Sequence, residues 1–189
     1  MRKLIYALSA SLDGYAAGPD GDLSWGLIDA ELHRHFNEME RGIELALYGR
    51  GMYELMSAYW PAADANPDAS PEEVEYAQIW RAQNRLVFSR TLPEVGWNAD
   101  LVREIDADEI RRLKALPGGD MSIGGPTLAA SFLRLGLVDE VRMYLHPVIL
   151  GAGLPMFLPE AGQVDLRLVD AHRFSSGVMM LRYTIPGRG

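Results

Sequence analysis

Apolar and polar positions in this chain follow two spacings, the two-residue period of strands and the 3.6-residue period of helices. Leu4 to Ala10 is an apolar run of strand length, ending in the turn-rich SLDGYAAGPDGDLSW. Asp29 to Arg41 has helical spacing, with Asp29 as a plausible N-cap and Leu32, Phe36 and Met39 on one face. Ile43 to Tyr48 predicts a second strand that runs into GRGMYE. A segment rich in Pro and Ala, 60–71, precedes a helix over 72–83. Arg85 to Ser89 is a third strand, and a short fourth is expected around 101–105. A helix over 107–116 closes on Pro117-Gly118-Gly119.

Met121 to Ile123 suits a fifth, buried strand, followed by Gly124-Gly125 and then Pro126 at the start of a helix. From Glu140, Val141, Met143 and Leu145 alternate with Arg142, Tyr144 and His146, and the run turns wholly apolar at 148–150. One strand over 140–150 is therefore expected. The runs 166–174 and 178–185 flank Ser175-Ser176-Gly177 as a hairpin. Strands alternating with helices predict an α/β fold of three layers, α/β/α. Its sheet is mostly parallel with helices on both faces, finished by antiparallel C-terminal strands. No repeat or linker divides residues 1–189, which read as a single domain.

Composition narrows the functions. A net charge of −8 argues against nucleic acid, so an anionic ligand needs a local cluster of donors. With no cysteine there is no disulfide, thiolate chemistry or cysteine-bound metal, which fits a cytoplasmic location. The N-terminal apolar run is too short for a signal peptide, and nothing approaches a membrane span.

Three segments follow predicted strands at the edge where α/β sheets bind ligands. These are Gly49-Arg50, Ser89-Arg90-Thr91 and Gly124 to Thr127. Each offers backbone amides or small hydroxyls, and arginine matches phosphate oxygens bidentately. The last is an anion site at a helix start or simply a tight strand-to-helix turn. GRG at 49–51 and GAG at 151–153 lack the third glycine of a dinucleotide fingerprint, and no P-loop is present. His33 and His35 face different ways on one helix, so no metal site is expected. His146 and His172 read as structural. Hydride transfer from a cofactor is the chemistry that remains, since it needs positioning more than acids and bases.

The ordered set SLDGYAA (11–17), LSW (23–25), GRGMYE (49–54), SRTL (89–92), IGGPTL (123–128), HPVILGAGLPMF (146–157) and FSSGVMMLRY (174–183) resembles the dihydrofolate reductase-like superfamily. The closer resemblance is to its branch with the reductase domain of bacterial riboflavin biosynthesis. That resemblance implies an eight-stranded mixed sheet, NADPH as cofactor and a homodimer formed through the C-terminal strands. It implies that Gly49 and Arg50 face the adenosine side and that Ser89, Arg90 and Thr91 surround the ribose 2′-phosphate. Ile123, Gly124, Gly125, Pro126, Thr127 and Leu128 would line the pyrophosphate and nicotinamide. Ser9 and the 14–18 loop, including Gly18, would cover the nicotinamide from the other side. Trp25 and Tyr53 would contact substrate.

Two departures stand out. The superfamily's pterin-holding carboxylate lies five residues past the tryptophan, whereas Asp29 is four and Glu31 six past Trp25. Its nicotinamide-side tyrosine is Ala129 here. Asp29 is then a substrate anchor or proton relay, or only a helix cap. The 56–84 segment, with Tyr59, Trp60 and Trp80, either caps the substrate pocket or packs the sheet edge. The expected function is an NADPH-dependent reductase of a small heterocyclic or carbonyl substrate, a pterin or flavin precursor among them. It would resemble the 5-amino-6-(5-phosphoribosylamino)uracil or dihydrofolate reductases. The alternatives are a non-catalytic NADPH-binding sensor or scaffold of the same fold, or a reductase using a flavin.

Overall fold

The computed structural model describes residues 1–187, whose elements alternate as their spacings predict. In chain order they are β1 (Leu4–Ser11), β2 (Tyr15–Ala17), α1 (Ala30–Arg41), β3 (Ile43–Gly49), α2 (Arg50–Tyr59), α3 (Pro71–Ala82), β4 (Asn84–Phe88) and β5 (Ala99–Val102). There follow α4 (Ala107–Ala115), β6 (Asp120–Gly124), α5 (Pro126–Arg134), β7 (Glu140–His146), β8 (Leu154–Pro155), β9 (Arg167–Arg173) and β10 (Met179–Thr184).

The main sheet has eight strands in the order β5-β4-β3-β6-β1-β7-β10-β9. The first six are mutually parallel, and β10 runs antiparallel to both β7 and β9. A small antiparallel ribbon, β2 with β8, stands apart from it.

Register assigns residues to the two faces. Tyr6 pairs with Ile123, which pairs with Leu47, and this row is buried with Ile110 of α4 and Leu128 and Phe132 of α5. On the opposite face Tyr144 and Met180 pack with Leu32 and Phe36 of α1. Further along that face Ala46, Tyr48 and Val87 pack with Met52, Tyr53 and Met56 of α2. Helices on both faces of a mixed eight-stranded sheet make the three-layer α/β/α architecture.

Two strands depart from their expected bounds. The strand expected to reach Leu150 stops at His146, because Pro147 has no N–H to continue a ladder. Val148 N–H turns back to the His146 carbonyl at 2.8 Å, and Asp13 accepts the amides of Leu150 and Gly151 at 3.1 and 2.7 Å. Ile149, apolar in sequence, is left 71% exposed. The short strand expected at 101–105 lies instead at Ala99–Val102. Asp106 is the reason: its carboxylate caps α4 by accepting the amides of Asp108 and Glu109 at 2.9 and 3.1 Å, which draws 103–105 out of the sheet.

Candidate functional site

The five helices begin in two different ways. Asp29, Ser70 and Asp106 cap α1, α3 and α4 through their side chains, and each of these helices carries an acidic residue in its first turn. Helices α2 and α5 begin at Gly49 and Gly125 with no side-chain cap and no acid in the first turn. Their first-turn amides and positive dipole ends are therefore open to an anion. The two starts are neighbours, for a Cβ on Gly49 would lie 3.6 Å from Leu128 Cβ.

Positive groups gather beside them. Arg50 opens α2, and its guanidinium donates to Thr91 Oγ1 at 3.0 Å and to Glu54 at 2.8 Å. Ser89 Oγ accepts the amides of Thr91 and Leu92 at 3.2 and 3.1 Å, which folds the turn after β4 toward Arg50. Arg90 is exposed on this turn and has no ion pair among the described residues. Arg103, which the sequence pattern did not single out, braces the turn by donating to the carbonyls of Ser89 and Leu92 at 3.0 and 2.6 Å.

Gly124 and Gly125 are glycines for different reasons. A Cβ on Gly124 would lie 2.7 Å from Met52 Cγ and 2.8 Å from Tyr48 Cδ1, so its own neighbours fill the space. Gly125 has a φ of 101°, which L side chains rarely adopt, and it turns the chain from β6 into α5. Pro126 and Leu128 behind it are buried, and Thr127 is exposed.

A cavity of about 230 Å³ opens between α1 and the sheet. The β1 and β6 residues facing it include the small Ala7, Ser9, Ser122 and Gly124, flanked by the larger Tyr48 of β3 and Tyr144 of β7, which leaves a hollow under the helix layer. Phe36 and Met39 of α1, Met52 and Met56 of α2, and Trp60 and Tyr76 form its walls. Ser9, Ile123 and Gly124 therefore border the cavity, and Gly124 also leads from β6 into the uncapped start of α5. The 56–84 segment, through Met56, Trp60 and Tyr76, walls the cavity, while Trp80 is buried beneath.

Glu40, near the end of α1, is the acidic residue of the lining. Gln83 Nε2 donates to its Oε2 at 2.9 Å. Burial pushes its carboxyl above the ordinary value, outweighing the Gln83 bond and the more distant charges of Arg85 and Arg142. The phenols of Tyr48 and Tyr76 are raised by burial first and by the Glu40 charge second.

Other expected site residues lie outside the cavity lining. Asp29 is the α1 cap, its Oδ1 accepting the Leu32 amide at 2.9 Å, with Oδ2 3.3 Å from Ser175 Oγ. Geometry thus favours its capping role, and Glu40 at the other end of α1 is the carboxyl that reaches the cavity. Tyr53 is buried against Ala46 and Val87, its hydroxyl accepting the Gly96 amide at 2.8 Å. Trp25 stacks edge-on against His146, with centroids 5.3 Å apart, and donates to the Asp22 carbonyl. Gly18 is buried, where its amide meets the Asp22 carbonyl at 2.8 Å. Ala129 is fully buried on the far face of the sheet.

A second hollow, at the amino ends of β3 to β5, is lined by Asn84, Trp97, Asn98 and Asp100 among others, away from the starts of α2 and α5. No cluster of three or more metal-ligating side chains occurs among the described residues. No described helix is long and apolar enough to cross a membrane.

Residues 2–180 match the family model of the RibD C-terminal domain. The chain is 34% identical over 183 residues to the uncharacterized protein YyaP of Bacillus subtilis, covering 96% of this chain and 94% of that one. Its fold is similar to that of a Shewanella sp. PV-4 protein assigned to riboflavin biosynthesis, with a TM-score of 0.74 at 22% identity, covering 97% and 98% of the two chains. It is also similar to dihydrofolate reductase from Enterococcus faecalis complexed with NADP(H), with a TM-score of 0.65 at 14% identity, covering 97% and 96%.

Proposed function

This chain belongs to the RibD C-terminal domain family, and on that footing we propose that it is an NADPH-dependent reductase of a small heterocyclic or carbonyl compound. One observation carries the proposal. The two helices without caps or first-turn acids are the two whose starts adjoin the Arg50, Ser89 and Thr91 cluster, and one of them opens on the cavity.

The residues present fit the cofactor. In this reading Gly49 and Arg50, with Ser89, Arg90 and Thr91, hold the adenosine end and its 2′-phosphate. The α5 start, Gly125 to Leu128, holds the pyrophosphate, and Gly124, Ile123 and Ser9 hold the nicotinamide at the cavity mouth. NADPH supplies a hydride when bound, and the protein contributes orientation and exclusion of water. An unpaired Arg90 beside a ribose favours the phosphorylated cofactor over NADH.

The cavity favours catalysis over a sensor role, because it sets a protonatable carboxyl, Glu40, within reach of a bound ring. A homodimer belongs to the same proposal. Strand β9 is a sheet edge exposed along its length, with Leu168 and Val169 at 52% and 41% exposure, and such edges pair or are covered. A cytoplasmic location accords with the absence of cysteine.

The test is fluorescence titration of the protein with NADPH, NADH and flavins, followed by NADPH consumption across pterins, flavin precursors and carbonyl compounds. Binding of NADPH well ahead of NADH supports the reading. Binding of neither nicotinamide cofactor removes it, and NADPH binding without turnover of any compound leaves the sensor.

A further inference from the structure

We propose that the hollow at the amino ends of β3 to β5 binds a small guanidinium compound, seated on the Trp97 ring and paired with Asp100. It lies apart from the proposed cofactor site and does not rest on the reductase reading.

The floor of the hollow is the sheet. Parallel pairing sets Leu45 beside Asn84 and Leu86 beside Asp100, and strand alternation puts all four on one face. Strand β5 is the outermost of the sheet, so the hollow is open on that side. Its volume is about 340 Å³, room for a small ligand.

The wall is the turn at 96–98, which the fold holds in a costly shape. Trp97 and Asn98 have φ of 59° and 53°, in the left-handed region that a bulky side chain rarely occupies. Arg85, itself buried, fixes that turn. Its guanidinium donates to the carbonyls of Gln83 and Trp97 at 2.9 and 2.7 Å and to that of Trp80, and its amide donates to the Asn98 carbonyl at 2.9 Å. Asn98 Nδ2 adds a bond to the Arg81 carbonyl at 2.9 Å. A buried cation thus secures a strained turn whose tryptophan is still 49% exposed at the hollow. Packing does not require this pose, because half the ring stays in water; a ligand on its face gives it a use.

The free groups of the hollow are acceptors. Asp100 and Asn84 make no side-chain hydrogen bond or ion pair among the described residues, and Asn98 Oδ1 accepts from none of them. The face of an indole is the negative side of its quadrupole. No lysine lines the space, and Arg85, alternating with Asn84 and Leu86, turns its guanidinium to the opposite face, 3.8 Å over the Trp80 ring. A phosphate or carboxylate therefore finds no cation here. A planar cation meets every group at once: its fork pairs with the Asp100 carboxylate, its remaining N–H groups reach the asparagine oxygens, and its flat face stacks on Trp97. The net charge of −8 draws such cations to the protein.

The experiment is calorimetric titration of the full chain at low salt with butylguanidine, butylurea and glucose. Butylurea keeps the flat head and the chain of butylguanidine without the charge. We expect butylguanidine to bind about tenfold or more tighter than butylurea, as an ion pair and a cation–π contact together would give. Glucose should not bind. Asp100→Asn should lose the preference for the cation. Trp97→Asn, a residue suited to positive φ, should weaken butylguanidine about tenfold with an unchanged circular dichroism spectrum. Equal binding of butylguanidine and butylurea, a preference that survives in Asp100→Asn, undiminished binding in a folded Trp97→Asn, or glucose bound more tightly than butylguanidine overturns the proposal. Should Trp97→Asn not fold, the probe order and Asp100→Asn decide. NADPH is titrated separately, and its failure to bind removes the reductase reading without touching this one.

Discussion

The buried imidazole of His146 holds Ser9 from below, with Nε2 3.1 Å from Ser9 Oγ. The other ring nitrogen, Nδ1, accepts the Leu27 amide at 3.1 Å, so Nε2 carries the proton and donates to Ser9. One side chain thereby joins the end of β7, a residue of the cavity floor and the 22–28 loop.

That arrangement needs a neutral ring, and burial lowers the His146 pKa below its ordinary 6.5. His35 is lowered too, by burial first and then by Arg142. The unfolded chain takes up these protons near 6.5, while the folded chain stays neutral to lower pH. The unfolded state therefore binds more protons in that window, and stability falls as pH drops below about 6.5. The slope is at most about 1.4 kcal/mol per pH unit for each histidine. The Asp13 carboxyl, held at about 2 by Ser11 and the loop amides, acts only in stronger acid. Thermal unfolding between about pH 5 and 7 should show a shallower fall for His146→Gln, and parallel profiles would contradict the assignment.

A buried ion pair locks the amino end of the sheet. Lys114 Nζ lies 2.7 Å from Asp139 Oδ2 and donates to the Leu137 carbonyl at 2.8 Å, while Asp139 also accepts the Leu4 amide at 2.7 Å. Removing one partner strands the other charge and an amide inside the protein. Asp139→Ala should cost about 3–5 kcal/mol in urea unfolding, far more than loss of the exposed Arg111–Asp108 pair at about 0–1 kcal/mol.

Gly153 has a φ of 141°, and a Cβ there would lie 2.0 Å from the Ala17 carbonyl oxygen. The β2–β8 ribbon depends on that approach. Gly153→Ala should destabilise the chain by at least about 1–3 kcal/mol, through strain and overpacking together. It should also speed hydrogen exchange at the Met156 amide, which bonds the Gly14 carbonyl at 2.9 Å. An unchanged exchange rate would show that the ribbon accommodates the methyl group.

On the proposed function, Arg90→Ala should weaken NADPH about tenfold and leave NADH nearly unchanged, since a charge-assisted bond to phosphate is worth about 1.5–3 kcal/mol. Arg50→Ala should do the same to a lesser degree, because Glu54 already neutralises part of its charge. Titration by fluorescence quenching measures both, and equal losses for the two cofactors would move the 2′-phosphate elsewhere.

What the sequence by itself determined is local. Two-residue and 3.6-residue spacings located the helices and most strands, and the Gly124-Gly125-Pro126 order announced the uncapped start of α5. Those signals act over a few bonds, through φ preferences and missing or available N–H groups, so neighbouring residues suffice to read them. Even there, Pro147 and the Asp106 cap overrode apolar runs that looked like strand.

The tertiary structure decided which carboxyl meets the cavity. Asp29 and Glu40 sit at opposite ends of one helix, and the helical spacing treats both as polar positions. Asp29 is held by the Leu32 amide and Ser175, while Glu40 is desolvated by burial and bonded by Gln83, which lies far along the chain. The hollow itself exists because Ala7, Ser9, Ser122 and Gly124 become neighbours only when β1 pairs with β6. Burial and cavity shape are sums over such distant contacts, and no local spacing encodes them.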